Sequence, residues 1–387
     1  MESLKALDGV RVLELGMYGA APLCCMQLAD FGADVIKVEP PHGDFYRQLP
    51  PLEDGESHYF MSVNRNKRSV VLDLKTETGR AALRRLIATA DVVVENFRPG
   101  VLEKLGFSYE DCRAVQPNLI YCAISGFGQT GPQRLEAGQD LIVQGYTGMM
   151  WCSGEEGQIP LKLAPAVPDV MAGQSAAYAI AMALFVRERT GVGQFIDIAL
   201  YDTSIQAMQL SYLARYLGDG TLPGRHGSGH PSMVPAQAFQ AGDGAWFNVV
   251  ANTDAMWAGL CQALQDPELA RDPRFAERGA RAEHAASVLA LLEARFATQP
   301  RAVWLERFKA VGLPCGPVNH LDELVDAPQT AARAMIVEHP HPRLGPLRTV
   351  GIAPKLSATP GRISRHAPAL GEHTEEVLRE AGLAVFS

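Results

Sequence analysis

The sequence predicts an α/β protein built on a parallel sheet, followed by a second and smaller folded unit. Three observations carry this. The chain opens on a strand, turn, helix, strand unit of about 30 residues, the pattern of a parallel pair with a crossover helix. The pattern recurs downstream, and the composition then changes near Asp219.

In order, Val10–Leu15 reads as a short strand, Gly16–Pro22 as a Gly/Ala-rich turn, and Leu23–Phe31 as a helix. Ala33–Glu39 is a second strand with Val35, Ile36 and Val38 as its apolar residues. A helix over Glu77–Ala90 and strands over Asp91–Glu95 and Leu119–Ser125 repeat the theme. After a long apolar helix, Gln194–Leu200 is a further strand and Thr203–Leu217 a further helix. Gly218–Pro235, rich in Gly, Pro, Ser and His, reads as a linker or binding loop. Beyond it lie a strand at Trp246–Val250 and amphipathic helices around Thr253–Leu264 and Ala282–Ala297. Past Gly312 come proline-rich loops and a charged closing helix, His373–Ala381.

With 387 residues, 47% of them hydrophobic, the chain can bury a large core and form two domains. A net charge of -8 argues against a nucleic-acid polyanion as the main ligand. The start, Met1-Glu2-Ser3-Leu4-Lys5, lacks the apolar core of a secretion signal, and the longest apolar run, Ala176–Val186, is too short to span a bilayer. The expectation is a cytoplasmic protein without a membrane partner. Seven cysteines without a C-x-x-C pair read as reduced thiols. His226 and His230 flank Gly227-Ser228-Gly229, a loop and not the helix face that gathers two histidines on a metal. No metal site is expected.

Several activities lose their markers. The turn at Gly16 lacks the G-x-G-x-x-G of dinucleotide binding, although Glu39 ends the second strand where such folds place a ribose-binding acid. Neither a P-loop nor a G-x-S-x-G elbow occurs. What remains is Asp169, in Pro168-Asp169-Val170, where the apolar stretch Val170–Val186 begins. This reads as a helix N-terminus with Asp169 as its cap, held ionised by free N–H groups and the helix dipole. An ionised, positioned carboxylate can attack an activated acyl group. A cap with no chemistry fits the segment too, and the motifs upstream decide between them.

Asn64-Arg65-Asn66-Lys67-Arg68-Ser69 packs three cations into four positions before a strand-like Val70-Val71-Leu72, and by itself fits a solvated loop. Val94–Gly100 follows a strand's carboxyl end and presents Asn96, Phe97 and Arg98. These suit an adenine nucleotide, by stacking on Phe97 and phosphate pairing to Arg98. Gly126–Pro132 is a glycine-rich loop after another strand end.

Taken in order, Leu13–Pro22, Gly32–Glu39, Asn66–Ser69, Val94–Gly100, Gly126–Pro132, Asp169 and Leu370-Gly371-Glu372-His373-Thr374-Glu375 closely resemble the class III coenzyme A transferases, relatives of the 2-methylacyl-CoA racemases. The resemblance implies a large Rossmann-like domain from both chain ends (1–200 and 319–387), a linker (201–225), an inserted smaller α/β domain (226–318) and an interlaced homodimer. It implies Asp169 as the catalytic residue and Asp140 as a supporting carboxylate. It places coenzyme contacts at Met17, Tyr18, Gly19, Ala20, Asn96 and Phe97, with Lys104 at a basic position of the family. Pro40 and Ala137 stand where formyl-CoA transferases carry cations, leaving Arg98, Lys67 and Arg68 as further phosphate candidates. Gly227-Ser228-Gly229-His230 resembles a loop that closes over the site.

Position 139, a histidine in the racemases, is Gln139 here, and glutamine exchanges no proton at neutral pH. The expected activity is therefore transfer of coenzyme A from an acyl-CoA donor to a carboxylic, by expectation dicarboxylic, acid through an aspartyl-CoA thioester, with the CoA ester as substrate and no cofactor. The alternatives are a racemase and a non-catalytic acyl-CoA binding protein.

Overall fold

The computed structural model describes residues 4–230 and 232–383; Met1–Ser3, which head the segment read for an export signal, lie outside them. The chain divides into two compact units: one of residues up to Met149, Lys162–Leu210 and from Ala331 onward, the other of Met150–Leu161 and Ser211–Thr330.

The main sheet of the first unit has six strands: β1 (Arg11–Glu14), β2 (Asp34–Glu39), β3 (Lys67–Val71), β4 (Val92–Glu95), β5 (Ile120–Ser125) and β6 (Phe195–Ala199). All pair in parallel, in the order β3-β2-β1-β4-β5-β6. Successive side chains of a strand point to opposite faces, so both faces need cover. Val12, Val35, Val92 and Ile120 bury themselves with helices α1 (Ala20–Asp30) and α3 (Val167–Thr190). Their neighbours Leu13, Ile36, Val93 and Tyr121 pack on the opposite side with the helix Glu77–Ile87 and with Val377 and Leu378 of the closing helix. Between β5 and α3 lies α2 (Asp140–Tyr146).

Helix α3 differs from the sequence reading. It starts at Val167 and runs 24 residues, long and apolar enough by length and composition to cross a bilayer, where the apolar run alone looked too short. Its small residues Ala172, Ala176 and Ala183, with Ile180, pack into the sheet's core, while Tyr178, Met182 and Phe185 are exposed.

In the second unit β7 (Ala236–Gln240), β8 (Trp246–Val250) and β9 (Cys315–Pro317) form an antiparallel sheet in the order β9-β8-β7. Phe239, Phe247, Trp257, Phe296, Trp304 and Phe308 form its core. Met150–Leu161 joins this unit because Arg225 Nε donates to the Trp151 carbonyl at 2.8 Å, with its guanidinium 4.8 Å from the Trp151 ring centre. Gly227 N–H reaches the Gly154 carbonyl as well, at 2.9 Å. The expected linker is largely helical, with Leu200–Met208 and Ala214–Asp219 joined by a π-turn. The proline-rich tail, read as loops, contains the hairpin Ile336–His341 with Gly345–Val350, in which Pro340 stands opposite Pro346. A two-stranded ribbon tolerates prolines because no third strand needs their missing N–H groups.

Candidate active site

Ligands of a doubly wound sheet bind beyond the strands' carboxyl ends, where the order reverses. Here that point lies between β1 and β4. The residue after β4, Asn96, bridges it. Its Oδ1 accepts the Met17 N–H at 2.9 Å and its Nδ2 donates to the Met17 carbonyl at 2.7 Å. Both ends of the Asn96 amide thus hold the loop after β1, leaving its backbone as the part free for the expected nucleotide contact. Tyr18 sits in the left-handed region at φ 66°, a conformation costing roughly 1–3 kcal/mol that persists only where the surroundings enforce it. Its N–H lies 3.4 Å from Asp44 Oδ1.

Beneath this loop is a buried ionic cluster. Lys37 Nζ contacts Glu14 Oε1 at 2.7 Å, Asp44 Oδ2 at 2.9 Å and the Gly16 carbonyl at 2.7 Å. Lys67 Nζ meets Glu14 Oε2 at 2.6 Å, Asn64 Oδ1 at 2.8 Å and the Pro22 carbonyl at 2.9 Å. Glu39, read as a possible ribose-binding acid, instead receives a two-pronged Arg47 at 2.7 Å and 2.7 Å and the Ser69 hydroxyl at 2.6 Å. Opposite charges in close pairs make such burial tolerable, and they hold the loop as a rigid shelf.

Onto that shelf comes Asp169. It is not the cap of α3, as the sequence suggested: Ala166 holds that place and Asp169 lies within the first turn, beside Pro168. A Cβ built on Gly19 would lie 2.8 Å from Asp169 Oδ2, so Gly19 offers its bare backbone to the carboxylate. Ala20, the next residue, opens α1 and is buried. Burial, and secondarily the charge of Asp140, push the Asp169 carboxyl up to about 6. The dipole expected to keep it strongly ionised is outweighed by desolvation, yet the group is still mostly a carboxylate at pH 7.

Asp140 Oδ1 accepts from Gln144 Nε2 at 2.7 Å, and Gln144 Oε1 accepts the Leu163 N–H at 2.9 Å. Gln139 is the exposed residue before α2, and its side chain makes no capping bond. A Cβ on Gly126 would lie 2.4 Å from the Gly138 Cα. This backbone approach sets Gln139 and Asp140 against the end of β5. Tyr46 stands near both carboxylates, and burial followed by the charges of Asp169 and Asp44 pushes its phenol up to about 12.

The phosphate candidates separate. Lys67 is wholly buried in the ionic cluster, and Arg68 is buried and paired with Asp34, Glu376 and Glu380. Neither has a donor to offer a ligand, which corrects the sequence reading. Arg98 and Lys104 are exposed and have no ion pair among the described residues. Phe97 lies half-buried against the core, its N–H donating to Glu95 Oε2 at 2.7 Å. Gly227, Gly229 and His230 belong to the second unit. A Cβ on Gly227 would collide with the Glu155 carboxylate. His230 Nδ1 accepts the Ser232 N–H at 3.2 Å, and burial and then His226 lower its pKa.

Sequence reasoning missed Glu14, Lys37, Asp44, Tyr46 and Glu95. A charge inside an otherwise apolar strand, as at Glu14 and Lys37, was the available signal. Glu95 ends β4 buried, and desolvation pushes its carboxyl up to about 8.

A carboxylate set against a glycine at the ligand crevice of a doubly wound sheet defines the class of α/β ligand-binding domains. The chain belongs to CoA-transferase family III, whose sequence profile matches residues 7–374. It is a CoA-transferase. It is 38% identical to the succinyl-CoA–D-citramalate CoA-transferase of Chloroflexus aurantiacus, over 97% of this chain and 94% of the relative. It is 40% identical to the succinate–glutarate CoA-transferase of Agrobacterium fabrum, over 97% and 95% respectively. A crystal structure of a CAIB/BAIF family protein from Brucella suis superposes with a TM-score of 0.88 at 38% identity, covering 97% of this chain and 99% of that one.

Proposed function

We propose that this enzyme transfers coenzyme A from an acyl-CoA donor to a dicarboxylic acid, with Asp169 as the acyl and thioester carrier. The contact of Gly19 with Asp169 at the β1/β4 crevice carries the reading. The dicarboxylate acceptors named for the relatives support the substrate class.

An Asp169 oxygen attacks the donor thioester carbonyl, and the C–S bond breaks to give a mixed anhydride and CoA thiolate. The thiolate then attacks the Asp169 carbonyl of that anhydride, releasing the donor's carboxylate and leaving an aspartyl-CoA thioester. The acceptor carboxylate attacks this thioester, freeing the thiolate. The thiolate attacks the acceptor acyl group, forming the new thioester and restoring Asp169. One thioester replaces another, so no external energy source enters. With the Met17 and Tyr18 N–H groups engaged by Asn96 and Asp44, those of Gly19 and Ala20 are the suitable donors for the oxyanions.

Arg98, Lys104, Phe97 and the Asn96 backbone are the coenzyme contacts that fit this reading. The sheet order supports a Rossmann-like description of the first unit. Tyr178, Met182, Phe185 and Val186, exposed at helical spacing on α3, support a homodimer, because monomers seldom leave such stripes uncovered.

The test is Asp169→Asn, assayed for transfer and for hydroxylamine trapping of the activated Asp169 carbonyl. The wild type is expected to give an Asp169 hydroxamate in the presence of donor. The variant should fold and lose both signals, and retained transfer would sink the assignment.

A further inference from the structure

Three tyrosine rings meet at the loop that seats Asp169, since Tyr18 directly precedes Gly19. The Tyr46 ring lies 5.9 Å from that of Tyr18, edge-on at 86°, and 5.9 Å from that of Tyr59, at 61°. Tyr18 and Tyr59 are each nearly half exposed, and Tyr46 is the half-buried centre.

The backbone of Tyr46 is fixed on both sides. Its N–H donates at 2.9 Å to Asp44 Oδ1, the carboxylate that also faces the Tyr18 N–H and is anchored by Lys37. The next residue, Arg47, is clamped on Glu39 and stacks 3.7 Å from the Phe60 ring centre. A short 3₁₀ turn, Phe45–Gln48, thus holds the ring rigidly. Yet the phenolic hydroxyl has no hydrogen-bond partner among the described residues. A fixed side chain with an unspent donor suits a ligand better than a packing role.

The charge around it narrows the ligand. Burial is the main reason the Tyr46 phenol stays protonated and able to donate, and the charges of Asp169 and, more weakly, Asp140 add to it. The same two carboxylates repel an incoming acid. A free carboxylate can approach only if donors offset that repulsion, and a neutral phenol does so without quenching the charge on Asp169.

We propose that Tyr46 contacts the substrate, its phenol donating a hydrogen bond to the carboxylate of the acid acceptor as that group faces Asp169. This rests on the reading of Asp169 as the carrier. Because transfer is symmetrical, the donor's acid occupies the same place as it leaves.

Tyr46→Phe tests the proposal, since it keeps the ring contacts and the Asp44 bond and removes only the hydroxyl. The KM for the acid acceptor, the inhibition constant of the donor's free acid and that of free CoA are measured together. Loss of a hydrogen bond to a charged group should raise the two acid constants about tenfold or more, with the CoA constant and melting temperature unchanged. Acid constants within twofold of wild type, or all three constants rising together, would overturn it. An inactive Asp169→Asn beside an unaffected Tyr46→Phe removes this proposal alone; transfer retained by Asp169→Asn removes the reading beneath it.

Discussion

Gly19 and Asp169 are packed so closely that a single methyl group on the glycine would stand 2.8 Å from the aspartate Oδ2 and 3.1 Å from its Cγ. The crowded atoms are the far end of a side chain, able to rotate away, and Gly19 has φ -99°, which alanine adopts without strain.

Gly19→Ala should therefore leave stability nearly unchanged while displacing the Asp169 carboxylate, the proposed nucleophile. Misplacing a reacting group by about 1 Å costs on the order of 100-fold in rate. The check pairs thermal melting with kcat for transfer. A large stability loss, or full activity, would contradict the seating of Asp169 on Gly19.

The pH profile reports the Asp169 environment. With its carboxyl pushed up to about 6, kcat/KM for the donor should fall about tenfold per pH unit below that value, as the nucleophile is protonated. Asp140→Asn removes a like charge and should move this limb to lower pH. Burial, the larger cause, remains, so the limb should stay above the ordinary aspartate value of 3.8. The sign for stability is opposite to that of activity. Between 3.8 and about 6 the native state holds a proton that the unfolded chain has released, so this group's contribution to stability falls as pH rises. Asp169→Asn should accordingly be at least as stable as wild type at pH 7.

Lys67→Met asks whether the buried cations are structural. It would leave Glu14, wholly buried, with Lys37 as its remaining cation, and would strand the Asn64 Oδ1 and Pro22 carbonyl acceptors. Breaking a buried pair costs about 3–5 kcal/mol, which urea unfolding would register. A stable variant with weakened CoA binding would return Lys67 to the ligand.

Arg98→Ala examines the exposed cation. Loss of a charge-assisted phosphate contact of roughly 1.5–3 kcal/mol should raise KM for CoA esters about 10- to 150-fold, with kcat nearly unchanged. An unaltered KM would pass the role to Lys104, now that Lys67 and Arg68 are engaged elsewhere.

The sequence by itself determined most strands of the parallel sheet, because each is a short apolar run closed by a turn, and local pattern suffices for that; the proline-rich hairpin at 336–350 was hidden from it. Trp246–Val250 was legible for the same reason. Position also marked Asp169, Asn96 and the Gly16–Ala20 turn as belonging to strand and helix ends. Only the tertiary structure decided which cations were free. Lys67 and Arg68 adjoin in sequence and read alike. One turns inward to Glu14, and the other meets Glu376 and Glu380 from the far end of the chain. Alternation sends neighbouring strand residues to opposite faces, and partners so distant leave no local trace. The same holds for Asp169. Its residue type and helix position are written in the chain, but its raised pKa comes from burial and from Asp140, and its seat from a glycine on another strand's loop. Those terms exist only once the sheet has closed around them.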